Sequence, residues 1–288
     1  MIPALIILTG ESGDSNPPQR TMILQCMTKP VTEVQLTGLQ TVIAGRLKSM
    51  NVRDFRISAN KAKAQLVIRL RDTVKTAELE QVLCASGKLN VFETLGAADI
   101  LTQMNNLQSS CLLKVRPLMH WDDPKYSRGP VILGCARPGD TSLVVACLNS
   151  AGIRAAFHSE IRFIFSRYPA DNEQYDLYCA SVANPVFNES IITDVHPDFS
   201  DPRLPVLSVS FTETNWKAWE TFTSGNIDKV IVFVLDGKVV FAPRVQGAIS
   251  GGRNSITGGG LNRTEVLKLN AILANGVLPC PLGIAVSE

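Results

Sequence analysis

Residues 230–245 read VIVFVLDGKVVFAPRV, and this stretch decides the fold class. Val230 to Leu235 is apolar at every position, the pattern of a central strand covered on both faces. Asp236-Gly237 then marks a tight hairpin, because a type I′ turn needs positive φ at both central residues. A second Val-rich run follows. Residues 249–259, ISGGRNSITGG, read as a glycine-rich hairpin. Glu265 to Ala274 reads as a helix with Val266, Leu269 and Leu273 inside. It ends at Asn275-Gly276, and Pro279 and Pro281 stop any continuation.

Upstream, Met22 to Met27 predicts a strand. Leu36, Leu39, Ile43, Leu47 and Met50 recur at spacings of three and four, one face of a helix. Phe55 and Ile57, then Leu66, Ile68 and Leu70, alternate with polar residues and predict two strands around the turn at Asn60-Lys61. Leu79, Val82 and Leu83 mark a second helix, closed by Gly87 at C′. Leu89, Val91 and Phe92 begin a final strand. The order β-α-β-β-α-β predicts a ferredoxin-like base. The fold class is α+β: this base, then an α+β head with an antiparallel sheet. The expected boundaries are a flexible tail at 1–20, the base at 21–97 and the head at 98–288, whose C-terminal part is able to complete the base.

Residues 96–130 look irregular, with His120 to Pro124 as a loop. Gly129 to Gly134 predicts a strand. Asp140 is expected to cap a helix ending near Gly152. Ile161 to Phe165, Asp176 to Val182 and Leu207 to Phe211 predict strands. Trp216, Trp219 and Phe222 fall on a following helix.

Composition narrows the function classes. The 288 residues suit about two domains by the usual length prior. Hydrophobic content of 45% with 19% charged supports a core and excludes a disordered chain. A net charge of +2 argues against a dedicated nucleic-acid binder. No apolar run approaches the roughly 18 residues of a membrane-spanning helix. Leu8-Thr9-Gly10-Glu11 resembles a lipoprotein cleavage box with Glu11 where the lipid-bearing Cys would stand, and an apolar scrap at a frayed terminus is the simpler reading. The seven Cys have no CxxC spacing, so zinc-type spacing is absent and a fully paired disulfide framework is excluded. A single pair stays open.

The punctuation of the C-terminal run resembles the SecD family, accessory subunits of the bacterial preprotein translocase, and its fused SecDF form. The resemblance rests on Asn226-Ile227 with Lys229, Leu235-Asp236-Gly237 and Ala242-Pro243. It continues through Ile249 with Gly251-Gly252, Ile256-Thr257-Gly258, Leu269, Leu273, Gly276 and Leu278-Pro279 with Pro281. Gly129-Pro130-Val131 and Asp140-Thr141 match further upstream. The turn-forming motif residues are Asp236, Gly237, Pro243, Gly251, Gly252, Gly258, Gly276 and Pro279.

The resemblance implies a periplasmic or cell-envelope base-plus-head region that contacts unfolded preproteins and Sec translocon components. Membrane attachment would come only through anchors that this chain lacks. Departures are plain. The family's membrane segments and its first Gly-Gly motif are missing, Asn215-Trp216 replaces a usual Gly-Ala pair, and Leu261 stands where Phe is usual. The energy-coupling role therefore does not transfer. A stand-alone SecD-fold paralogue acting as an envelope scaffold is the alternative.

No catalytic constellation stands out, and no enzyme, cofactor or metal is expected. His120, His158 and His196 lack metal-site spacing and read as loop residues. Asp122-Asp123, and Asp198 with Asp201, sit among Pro and Ser and read as solvated turns. The Gly251 to Gly260 patch lacks both phosphate-loop patterns. Candidate client contacts are Phe163, Phe165, Tyr168, Trp216 and Trp219, with a strand edge near Phe163–Phe165 able to pair with an extended chain. Against this, the three-residue spacing of Trp216, Trp219 and Phe222 also suits a helix packed on a sheet.

Overall fold

The computed structural model describes residues 7–9, 19–121, 129–157, 160–170, 173–182, 187–258 and 260–285. In chain order the elements are β1 (Ile7–Thr9), β2 (Gln19–Cys26), α1 (Glu33–Ser49), β3 (Asp54–Asn60), β4 (Gln65–Arg71), α2 (Thr76–Leu83) and β5 (Leu89–Thr94). Next come α3 (Ala97–Asn105), α4 (Ser110–Val115), β6 (Met119–Trp121), β7 (Ile132–Ala136), α5 (Thr141–Leu148), α6 (Ala151–Arg154), β8 (Ile161–Phe165) and β9 (Tyr175–Ser181). The chain continues through β10 (Phe187–Asn188), β11 (Ile192–Asp198), β12 (Val206–Phe211), α7 (Glu213–Gly225), β13 (Ile231–Leu235) and β14 (Lys238–Phe241). It closes with β15 (Arg253–Ile256), α8 (Arg263–Leu273) and β16 (Leu282–Ile284). The class is α+β with antiparallel sheets.

Two compact units divide the chain. Unit 1 gathers Met1–Lys88, Asp194–Ser208 and Leu261–Glu288; unit 2 gathers Leu89–Thr193 and Val209–Gly260. A third small sheet has the order β11-β12-β15.

In unit 1 the sheet runs β16-β2-β4-β3, with β1 also paired to β2. Met22, Leu24 and Cys26 on β2 alternate inward with Leu66, Ile68 and Leu70 on β4, as a half-covered strand pair must. Against them lies α1, whose buried face is Leu36, Leu39, Ile43, Arg46 and Leu47. Thr32 opens that helix with a capping box: its hydroxyl accepts from Gln35 N, while Gln35 Oε1 accepts from Thr32 N at 2.9 Å.

Two glycines let the C-terminal segment approach α1. A Cβ on Gly38 would stand 3.0 Å from Pro279 Cγ, and one on Gly45 would overlap the Asn275 amide. That amide donates to Ala271 O and to Ser49 Oγ at 2.8 and 3.0 Å.

Arg46 is buried completely. Its guanidinium donates to Val82 O, Ala85 O and Gly276 O at 2.8, 2.5 and 2.9 Å. These carbonyls lie at or just beyond the C-terminal ends of α2 and α8, where acceptors have no intrahelical partner and a cation is favoured.

Three expectations change here. Residues 89–94 do not finish this sheet; β16 takes the place beside β2, so the split βαβ strand order is completed by residues 282–284. Residues 1–20 are not wholly a tail, since Ile7–Thr9 pair with Gln19–Thr21. Gly87 is not C′ of α2, whose C-cap is Cys84; its φ of +86° turns the chain against Arg46 and Gly276.

In unit 2, β5 is central, flanked by β13 and β9, in a sheet ordered β14-β13-β5-β9-β7-β6 with β8 on β9 and β10 on β5. One face of β8 and β9, with Phe163, Phe165, Leu177 and Cys179, joins a core under α3 to α6. The other, with Ile164, Tyr178 and Ala180, meets Val232, Val234 and Val239.

The region expected to be irregular holds two short helices, α3 and α4, and His120-Trp121 lies on β6. Trp121 Nε1 donates to Arg116 O at 3.2 Å. Asp140 is the N-cap of α5 but makes no side-chain capping bond, and Gly152 lies inside α6 rather than after α5. Cys111 on α4 and Cys147 on α5 form a disulfide, which answers the pairing left open by the sequence.

Candidate functional site

The site is best built from the β13–β14 hairpin. Asp236 and Gly237 adopt φ of 50° and 78°, the left-handed pair that a type I′ turn requires. Leaving β14, the chain stays beside β13: Ile231 N donates to Pro243 O at 3.1 Å, and Val245 N to Lys229 O at 2.9 Å. Pro243 has no N–H of its own to offer a ladder. Arg244 is steadied by a bond from Nη1 to Asp228 O at 2.9 Å.

Opposite runs the chain that leaves β8. Arg167 N donates to Val239 O at 2.7 Å, and Ser166 bridges to Val239. Ser166 Oγ donates to Tyr168 O at 2.8 Å and accepts from Asp176 N at 3.0 Å, which fixes the turn into Tyr168-Pro169-Ala170. Between these two walls and the segment carrying Ser255, Thr257 and Gly260 lies an open groove of 800 Å³. Tyr168, Phe241, Val240 and Pro243 give it apolar surface; Arg244, Gln246, Ser255 and Thr257 give it polar groups. Thr257 Oγ1 is buried and has no hydrogen-bond partner among the described residues.

The expected contact residues separate. Tyr168 lines the groove. Trp216 is 37% exposed on α7. Its Nε1 donates to Phe211 O at 2.9 Å, and its indole lies where a Cβ on Gly252 would be, with Gly252 at φ +61°. Phe163, Phe165 and Trp219 are each only 1% exposed and have no surface to present. Trp219 is held edge-on by Phe187 and Phe211, with ring centroids 5.1 and 4.9 Å away. Phe165 lies under Lys238, whose Nζ is 5.7 Å from the ring centroid. Burial lowers the Lys238 pKa.

The strand edge at Phe163 is also occupied. Asn149 Nδ2 donates to Phe163 O at 2.8 Å, and Phe163 N donates to Asn149 Oδ1 at 2.9 Å. One side-chain amide thus takes both outward backbone groups, which blunts an edge against strand addition.

The other candidates find ordinary places. His120 lies on β6 in unit 2, whereas His196 lies on β11 in unit 1 with Nδ1 2.9 Å from Asp194 Oδ2, both exposed. Asp198 accepts from Ser200 Oγ and N, and those bonds hold its carboxyl below the usual range. Asp201 accepts from Arg203 N at 2.9 Å. His158, Asp122, Asp123, Gly10 and Glu11 lie outside the described residues. Among the described residues no three His, Cys, Asp or Glu gather as a metal site would need.

The motif residues work as backbone devices. Gly251, Gly258 and Gly276 have φ of 70°, 78° and 76°. Asn226 is buried, and its Nδ2 donates to Glu93 Oε1 and Phe222 O, both at 2.9 Å. Residues 166–280 match the family described as SecDF, P1 head subdomain. Over that span the chain is similar to a SecDF P1 head. Every residue lining the groove falls inside that span.

Curated relatives agree. Protein translocase subunit SecD of Rhodothermus marinus is 28% identical over 158 residues, covering 54% of this chain and 25% of that protein. SecD of Rhodobacter capsulatus is 35% identical over 109 residues, covering 38% and 20%. SecDF of Thermus thermophilus is 34% identical over 102 residues, covering 35% and 14%. Each match thus spans a quarter or less of the relative's length.

Two solved structures share the fold. SecDF in its super-membrane-facing form superposes with a TM-score of 0.53 at 19% identity, over 92% of this chain and 29% of that one. A structure of SecDF, a membrane component that enhances protein export, gives 0.51 at 19% identity, over 93% of this chain and 99% of that one. No helix among the described residues is long and apolar enough to cross a membrane.

The groove was only partly legible in sequence. Tyr168 and the Ala242-Pro243 pair were singled out; Phe241, Arg244, Gln246 and Ser255 were not. Phe241, Arg244 and Gln246 share one signal, proximity to Pro243, and Ser255 carries none.

Proposed function

We propose that this chain is a non-enzymatic, SecD-like extracytoplasmic module that assists protein translocation by transiently holding emerging preproteins in the head groove. The carrying observation is that the whole groove lies within the segment matched to the P1 head. An extended, unfolded segment suits it. Tyr168, Phe241 and Pro243 offer apolar contact to any passing side chain, while Ser255 and Gln246 offer hydrogen bonds to a passing backbone. Such contacts read little sequence, which fits a protein that meets many clients. An open groove also favours brief binding, since only deeply enclosed anchors dominate affinity.

The Cys111–Cys147 disulfide supports a place outside the cytoplasm, where disulfides persist. Sec translocon components would be neighbours in that setting. A photo-crosslinker placed at Tyr168 or Gln246 tests the reading. It should capture a translocating preprotein and spare the same protein once folded. Equal capture of both, or capture of neither while a crosslinker at exposed Leu204 labels the preprotein, would refute it.

A further inference from the structure

In the sheet of unit 1, β16 runs antiparallel to β2 with Leu282 opposite Cys26 and Gly283 opposite Gln25. Met27 N donates to Pro281 O at 2.9 Å, which extends the ladder one step further. Side chains alternate along a strand, so Cys280 projects from the same face as Leu282. It is therefore the diagonal neighbour of Cys26, the kind of pair whose side chains meet across two strands. Both residues are buried, at 1% and 4% exposure, and the Cys280 side chain adds to burial in raising the Cys26 thiol. Two sulfurs converging from adjoining backbone positions are what a disulfide requires. The other thiols are placed differently: Cys135 Sγ donates to Gln174 Oε1, and Cys179 lies in the core of unit 2.

We propose that Cys26 and Cys280 close as a second disulfide, which fastens β16 onto β2. The Sγ–Sγ bond forms as both S–H bonds are lost. An external disulfide takes the two electrons, its own S–S bond breaks, and the two protons end on the two thiols it becomes. Exchange needs an accessible thiolate. In the folded chain Cys26 is enclosed, and burial pushes its thiol up to about 12. The bond therefore forms while β16 is still undocked, and docking then shields it from reductants. The ring it closes contains, in sequence, all of unit 2.

The proposal takes only an oxidising setting from the functional reading. Glutathione disulfide supplies that setting in vitro, so failure here leaves the functional reading intact. The reduced full chain is refolded with glutathione disulfide, alkylated with iodoacetamide in denaturant without reductant, digested and mapped by mass spectrometry. A peptide linking Cys26 to Cys280 that vanishes on reduction is expected, with Cys84, Cys135 and Cys179 alkylated. On a non-reducing denaturing gel, Cys280→Ser should migrate more slowly than the parent because the large ring is open, whereas Cys84→Ser should co-migrate with the parent. Full alkylation of both Cys26 and Cys280, or co-migration of Cys280→Ser with the parent, would overturn the proposal.

Discussion

Replacing Arg46 with Met gives the sharpest test of how unit 1 is held. The substitution keeps an apolar stem of similar length and removes the guanidinium. Val82 O then loses its donor in a buried setting, and Ala85 O and Gly276 O lose theirs in part-buried ones. Hydrogen bonds from a charged donor contribute about 1.5–3 kcal/mol each, so the gross loss is several kcal/mol. Opposing it, the variant no longer buries a cation, and that desolvation also costs several kcal/mol.

The three orphaned carbonyls should win, because Met offers them nothing and Val82 O is fully enclosed. The expected net loss is about 3 kcal/mol, in the range seen when one partner of a buried ionic contact is removed. With a urea slope of about 2 kcal/mol/M, the midpoint for unit 1 should fall by about 1.5 M. Arg46→Lys should lose about half as much, since a point charge replaces a three-way fork. Far-UV circular dichroism and hydrogen exchange of α1, α2 and α8 amides report on unit 1. Trp121, Trp216 and Trp219 all lie in unit 2, so tryptophan fluorescence gives the internal reference. A midpoint that stays put or rises in Arg46→Met would refute the reasoning, showing that desolvation outweighs the capping bonds.

Three further outcomes follow from other parts of the chain. Gly252→Ala should destabilise unit 2 by about 2 kcal/mol, since a Cβ would meet the Trp216 indole at a left-handed φ. Adding Trp216→Ala should restore the steric part alone, which a double-mutant cycle in urea would read as positive coupling. Reducing Cys111–Cys147, a sequence separation of 36, should lower the stability of unit 2 by about 3 kcal/mol in the fluorescence-detected transition. Lys238 has a folded pKa depressed by burial, so its charge disfavours folding below that pKa. Stability should rise as pH climbs from the folded pKa to the ordinary lysine value, where the unfolded chain holds the extra proton. Lys238→Met should lack that rise relative to the parent in matched urea titrations.

Local pattern was legible where chemistry and backbone demand coincide. Asp236-Gly237 was read as a hairpin because few other pairs accept its two positive φ angles. The alternation of Leu66, Ile68 and Leu70 gave a strand with one covered face, which β4 is. Partner choice was not legible. Leu89 to Phe92 and Leu282 to Ile284 are both short apolar runs, and such runs report burial without saying which sheet supplies it. Arg46 was hidden for the opposite reason. A charge at a helix position next to Leu47 reads as exposed until the ends of two other helices are seen to surround it. Trp219 was legible as core by its helical spacing and yet was also offered as a contact, and Phe163 and Phe165 were offered as contacts alone; aromatic character by itself cannot separate core from surface. The groove joins residues 166–178 to 239–260, and no local pattern announces such a meeting.

The division of unit 1 among three chain segments sets an order of events during synthesis. Unit 2 is complete once Gly260 has emerged, but the sheet of unit 1 lacks β16 until residue 284 follows. The sheet that β2 begins is thus finished after unit 2. Until then β2 presents an open edge opposite the place where Leu282–Ile284 will lie, and a nascent chain with an open edge is exposed to mispairing. A polypeptide ordered this way holds the whole of unit 2 between the two strands, β2 and β16, that must still meet.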